Sequence, residues 1–243
     1  NGYTDLTHVL PYNDTEAVEK YFDKHGKDTA CVIVEPIAGN MNCVLPDVGF
    51  LEALREQCTL NESVLIFDEV MTGFRVALGG AQSIYGVVPD ITTLGKVIGG
   101  GLPIGAFGGK AEIMKKIAPE GAVYQAGTLA GSPLAVAAGL AMLEIVSREN
   151  FYESLSKKTK LLMEGLEARA SAADIPFTTN HAGGMFGCFF NKSNKVKTFN
   201  EVMESNNENF QIYFHEMLNN GVYLAPSMYE AGFISSSHLK RDL

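Results

Sequence analysis

The chain is short of positive charge. Its 243 residues carry 19 Lys and Arg against 28 Asp and Glu, a formal net charge of -9. No basic run offsets that balance; "LSKKTK" at 155–160 is short and reads as a solvated helix face. A nucleic-acid partner is therefore not expected, since such binders carry a basic patch. Cysteine is sparse too. Cys31, Cys43, Cys58 and Cys188 form no CxxC pair, and no histidine stands at zinc-ligand spacing. Each is expected as a buried, reduced thiol, which favours a reducing compartment and no metal. No segment has the form of a signal peptide, and no apolar run reaches membrane-spanning length, so no membrane partner is expected. The longest such run, 133–146, is interrupted by Gly139 and closed by "SREN".

Familiar nucleotide and hydrolase loops are missing as well. "GAFGGKA" has Ile104 where a P-loop needs glycine and Ala111 where it needs Ser or Thr. "GGGLPIG" is not GxGxxG, and no GxSxG elbow occurs. The five histidines, His8, His25, His181, His215 and His238, are scattered and read as surface or satisfied core residues.

What is present is an α/β pattern. Hydrophobic residues make up 46% of the chain, enough for one large domain or a domain with a smaller partner. "TACVIVEP" (29–36) and "SVLIFDEV" (63–70) read as buried strands. Between them, Phe50, Leu51, Leu54 and Cys58 recur at helical spacing, with Asp47 as the expected cap. Strand, helix and strand in this order predict a parallel βαβ unit. Short strands are expected at 91–94 and 104–109, and a short helix in "KAEIMKKIA". Another helix should start at Ser132-Pro133, followed by a long amphipathic one with Leu155, Leu162 and Leu166 on one face. Beyond that, "FTTNHAGGMFGCFF" predicts two strands about a Gly183-Gly184 bend. The polar stretch from Asn191 to Asn209 is expected to be exposed and mobile. "FQIYFHEMLNNG" predicts a helix, and "VYLAP" and "GFISSSH" two closing strands. The expected fold class is α/β: a mostly parallel sheet flanked by helices over residues 1–150, with a smaller α+β domain over 151–243.

Ligands of open α/β sheets gather at the carboxyl ends of the strands. Glu35, the pair Asp68-Glu69 and Lys96 all fall at such ends, so all are expected to face one crevice. Lys96 stands in "TTLGKVIGGGLPIGAFGG", a stretch with seven glycines. In a dry crevice its amine would lose charge and become a nucleophile toward carbonyls. Pyridoxal phosphate chemistry needs such a lysine, together with a carboxylate against the pyridine nitrogen, which Asp68 could supply. Gly99, Gly100 and Gly101 would let backbone approach closely. An ordinary surface lysine in a glycine-rich turn and a capping acid at a strand end remain the alternatives for Lys96 and Asp68.

The spellings "VIVEPIAGNMNCVLPDVGFLEALRE", "LIFDEVMTGFRV", "PDITTLGKVIGGGLPIGAFGG", "VYQAGTLAGSPLA" and "GVYLAPSMYEAGFISSSH" together resemble the class III, fold-type I pyridoxal-phosphate aminotransferases. Within that class they are similar to the glutamate-1-semialdehyde 2,1-aminomutase branch, and "EPIAGNM" is the most discriminating piece. The resemblance implies pyridoxal 5'-phosphate, cycling through its pyridoxamine form, as cofactor. It implies Lys96 as the Schiff-base lysine and proton shuttle, Asp68 at the pyridine nitrogen and Val70 on a ring face. Asn40 would lie near the phenolic oxygen, supported by Glu35. Gly127 and Thr128 would reach the cofactor phosphate of a neighbouring subunit, which implies a homodimer. Glu230 would approach the substrate, a small amino-aldehyde.

The implied reaction is internal amino exchange from glutamate-1-semialdehyde to 5-aminolevulinate, feeding tetrapyrrole synthesis in a bacterial cytoplasm or plastid stroma. Another class III ω-aminotransferase and a non-catalytic paralogue are the alternatives. Cys43 and Ser132 stand where the family usually has glycine and asparagine. The family's N-terminal phosphate loop, substrate-binding arginine and gating loop have no counterpart in these residues. The chain is therefore expected to be an internal stretch of a longer subunit, with little cofactor affinity or activity alone.

Overall fold

The protein is described by a computed structural model that places residue 2 and residues 4–243. Asn1, where the first expected domain begins, lies outside the described residues. The predicted βαβ unit is present. Strand β1 (Cys31–Val34) pairs in parallel with β2 (Val64–Asp68), which pairs in parallel with β3 (Ile91–Leu94). A fourth strand, β4 (Ala106–Gly109), closes the order β1-β2-β3-β4 antiparallel to β3. Helices α1 (Thr15–His25) and α2 (Phe50–Leu60) cover one face. Val18, Phe22, Phe50, Leu51, Leu54 and Cys58 pack there on Leu65 and Phe67, with the alternation a strand requires.

The other face explains two corrections. β1 is not the buried strand its β-branched run predicts: Ile33 points away from the helices and is 62% exposed. Cys31, two residues earlier on the same side, is exposed as well, whereas Cys43 and Cys58 are buried and all four thiols are free. Asp47 does not cap α2 through its side chain. Gly49 holds the N-cap position, and the Asp47 carboxylate pairs with Lys197 at 2.7 Å.

Helix α3 (Gly80–Tyr85) lies between β2 and β3, and α4 (Ala111–Met114) is only four residues long. Helix α5 (Pro133–Val146) begins at Pro133, with Ser132 at the cap position but making no side-chain capping bond. Helix α6 (Phe151–Ala172) buries Leu155 and Met163, with Leu162 and Leu166 alongside. Strands β5 (Thr178–Ala182) and β6 (Met185–Phe189) form the hairpin expected around Gly183-Gly184.

The stretch from Asn191 to Asn209 is not exposed throughout. Val196 and Val202 are buried against Phe189, Ala38 and Val44, so two apolar residues anchor an otherwise polar segment. Within it, α7 (Phe199–Met203) is started by a capping box between Thr198 and Glu201. Helix α8 (Asn207–Asn219) follows. Only one of the two expected closing strands forms: β7 (Gly232–Phe233) pairs with β6, while "VYLAP" has no strand beside it among the described residues.

One buried acid fastens the first sheet. Asp90, at the start of β3, is 4% exposed. It accepts from Arg55 of α2 at 2.8 Å, from Lys110 beyond β4 at 2.6 Å and from the Leu65 amide at 2.7 Å. Burial pushes its carboxyl up, but the bonds from Lys110, Leu65 and Arg55 outweigh that and hold it below the usual range. A lowered folded pKa stabilises the fold above the unfolded value and loses that contribution as pH falls through the folded value. Asp90→Ala should therefore lose about 2 kcal/mol near neutral pH. Urea melts should show the gap to wild type narrowing as the pH drops below about 4.

Candidate active site

The register of β2 and β3 assembles the site. Asp68, the last residue of β2, stands opposite Thr93, and Lys96 follows three residues later. Asp68 Oδ1 accepts the Val70 amide at 3.0 Å and Thr93 Oγ1 at 3.4 Å. Its Oδ2 has no partner among the described residues, so one acceptor is left over at the strand end. Lys96 opens a 3₁₀ turn (Lys96–Gly99) with φ of 46°, a conformation that side-chain-bearing residues seldom adopt. The turn directly follows β3, and the Lys96 amine has no hydrogen-bond or ion-pair partner among the described residues. Val70 packs against Gly95, its Cγ1 3.2 Å from where a Cβ on that glycine would sit. Asp68, Val70 and Lys96 are thus brought to one place by two strand ends.

Lys96 is exposed rather than enclosed in a dry crevice. The crevice also lacks one expected member. Successive strand residues point to opposite faces, so Glu69 turns away from Asp68 and is fully buried among donors in the core.

Glu35 and Asn40 are bonded to each other in the loop after β1, with no hydrogen bond to Asp68 or Lys96 among the described residues. Glu35 accepts the Gly39 amide at 2.7 Å through one oxygen and Asn40 Nδ2 at 2.8 Å through the other. That fixes the Asn40 side chain while leaving its Oδ1 free. Both residues line a groove of about 1060 Å³ that reaches Tyr12, Met41 and Phe199. Their loop is pinned by Asn42, a residue sequence reasoning did not single out. Asn42 is 2% exposed and has φ of 68°. Its Nδ2 donates to the Cys188 and Met228 carbonyls, and its amide donates to the Tyr229 carbonyl at 2.6 Å. Glu230 follows Tyr229 and is exposed, so its loop is fastened to the one bearing Asn40. Gly127 and Thr128 are in an exposed segment with no hydrogen bond to Asp68 or Lys96 among the described residues.

Of the three glycines after Lys96, Gly100 is the one that backbone approaches closely, while a Cβ on Gly101 would meet nothing within 4 Å. Gly100 has φ of 57°, and a Cβ on it would meet the Ala138 carbonyl oxygen at 2.5 Å. Gly139 reciprocates: a Cβ there would lie 2.2 Å from the Ile98 carbonyl oxygen. Gly100 and Gly139 together let the lysine turn dock on α5.

The carboxyl end of the sheet thus offers a strand-end carboxylate with a free oxygen and an unpaired amine, the two groups a pyridoxal-phosphate site needs. Residues 4–231 match the family Aminotransferase class-III, and the chain belongs to that family. Among solved structures it is similar to a β-phenylalanine aminotransferase from Variovorax paradoxus, with 31% identity and a TM-score of 0.89 over 97% of this chain and 54% of that one. A glutamate-1-semialdehyde aminomutase from Pseudomonas aeruginosa PAO1, solved in complex with PMP, is 27% identical with a TM-score of 0.85 over 97% and 53%. An omega-transaminase from Sphaerobacter thermophilus is 28% identical with a TM-score of 0.83 over 93% and 52%. The chain spans about half the length of these relatives.

Pyridoxal phosphate is the cofactor of the family. The residues present fit it: an unpaired amine on a strained turn and a strand-end carboxylate with one oxygen unclaimed. Because Gly100 meets backbone and not a flexible side chain, Gly100→Ala should destabilise the protein by about 2 kcal/mol and displace the lysine turn. Gly105→Ala, with only the Leu94 carbonyl oxygen at 4.0 Å from the new methyl, should stay within about 0.5 kcal/mol of wild type in the same urea melt.

Proposed function

We propose that this chain carries the reactive lysine, the ring-nitrogen carboxylate and the Asn40 wall of an enzyme that moves an amino group within one small molecule. The reaction we assign is glutamate-1-semialdehyde to 5-aminolevulinate, a step toward tetrapyrroles. The observation that carries the chemistry is the free Asp68 Oδ2 and the unpaired Lys96 amine at adjacent parallel strand ends. The "EPIAGNM" spelling around Asn40 and the P. aeruginosa relative support the choice of substrate.

Bound here, pyridoxal phosphate supplies an electron sink for the carbon that carries the amine. Asp68 Oδ2 is the acceptor for a protonated ring nitrogen, and its other oxygen is held in place by Val70 and Thr93. Lys96 Nζ takes a proton from the substrate carbon and returns it. Val70, braced on Gly95, supplies an apolar surface for one ring face. Asn40, oriented by Glu35, offers polar atoms on the facing wall, and Glu230 lies on the loop fastened to that wall.

A homodimer belongs to the same reading. The segment holding Gly127 and Thr128 exposes Tyr124 at 83% and Leu129 at 73%, apolar surface suited to a second subunit.

A second reading, amino transfer from a β- or ω-amino acid to an external keto acid, is favoured by the 31% identity to the V. paradoxus enzyme. Supplying the purified full-length protein with glutamate-1-semialdehyde and no keto acid separates the two. Formation of 5-aminolevulinate supports the aminomutase; an absolute need for pyruvate or 2-oxoglutarate supports the rival. Lys96→Ala should lower turnover at least about 100-fold in either case. Undiminished turnover would remove Lys96 from its role.

A further inference from the structure

Glu69 sits beside the proposed ring-nitrogen carboxylate yet faces the opposite way. It is 0% exposed and accepts from four donors. Oε2 takes the Thr72 hydroxyl at 2.8 Å and the Ala81 amide at 2.7 Å. Oε1 takes the Gln82 amide at 3.0 Å and Gln82 Nε2 at 3.2 Å. Gln82 Nε2 also donates to Thr92 Oγ1 at 3.2 Å, and the Glu69 amide donates to the Thr93 carbonyl at 3.0 Å. The backbone is shaped around this side chain. Gly80 has φ of 68°, and a Cβ on it would strike the Glu69 carboxyl group at 2.4 Å.

Taken together, these bonds tie the end of β2, the first turn of α3 and the end of β3 into one knot. Asp68 precedes the knot by one residue, and Lys96 follows Thr92 by four. Any slip of β3 along β2 would change the separation of those two groups, and the knot adds side-chain bonds that resist such a slip.

We propose that Glu69, acting through Gln82 and Thr92, is a positioning residue that sets the placement of Lys96 relative to Asp68. The proposal rests on the cofactor reading above. The carboxyl group suits the task because all four neighbours are donors, and only a side chain that accepts at both oxygens satisfies them all. An amide would turn an NH₂ group onto one pair of donors and leave them facing each other.

The test uses the full-length holoprotein and two variants, Glu69→Gln and Thr92→Val. The second removes only the β3 end of the relay, so it keeps the test informative if the first fails to fold. Two quantities are read: the cofactor concentration at half-saturation, and the pH midpoint of the bound cofactor's visible absorption band. Urea melts of the same samples report stability.

Positioning predicts a shifted midpoint in both variants and about a tenfold rise in half-saturation for Glu69→Gln. In Thr92→Val those changes should come with little change in the melt. A purely structural role predicts a less stable Glu69→Gln with an unmoved midpoint in the molecules that stay folded, together with an unaltered Thr92→Val; that pattern overturns the proposal. A wild-type protein that shows no cofactor band, or a Lys96→Ala variant whose band keeps the wild-type pH midpoint, sinks the cofactor reading itself and the proposal with it.

Discussion

The parallel register between β2 and β3 is the constraint on which the site depends. Ile66, Phe67 and Asp68 face Ile91, Thr92 and Thr93 in turn, and the chain leaves both strands at nearly the same height. A carboxylate and an amine distant in sequence are set near each other by the pairing of two parallel strands. A shift of one residue would turn Asp68 to the other face, because side chains alternate along a strand. The covered face, built on Leu65 and Phe67, makes that slip costly, since it would bring Ile66 and Asp68 into the helix-packed core.

Around this register the protein places buried, multiply bonded acids. Asp90 holds the entry of β3 through three bonds, and Glu69 joins the exit of β2 to α3 through four, reaching β3 by way of Gln82. Both acids are buried, and both use their oxygens to join strand to helix or loop. The lysine turn is treated in the same way. Its strained residue and close docking on α5 need glycine at 100 and 139, where the two backbones nearly touch. The Asn40 loop follows the same logic with an amide: Asn42 ties it to β6 and to the 228–229 loop.

Much of the frame was legible in the residues. β-Branched runs closed by Pro36 and Asp68, with helical spacing between them, are enough to predict a parallel βαβ unit. The Gly183-Gly184 bend likewise marks the β5–β6 hairpin. Other features depended on what lies across space. Ile33 reads as core but faces an uncovered side of the sheet. "VYLAP" has strand composition but no neighbouring strand to pair with. The stretch from Asn191 to Asn209 looks polar throughout, yet two valines at 196 and 202 suffice to anchor it. Glu69 and Asp68 are adjacent carboxylates in sequence, and only the pleat separates their tasks; alternation along "LIFDE" was the available signal. Asn42 carried none beyond its place in "GNMN", because its partners lie 146 and 186 residues away.

The central claim is that Lys96 is the residue joined to the cofactor. Borohydride reduction of the full-length holoprotein, followed by peptide mass mapping, tests it most directly. The account predicts a pyridoxyl label on the peptide containing Lys96 and on no other. A label confined to a different lysine, or a reduced protein that releases all its cofactor unlabelled, would contradict it.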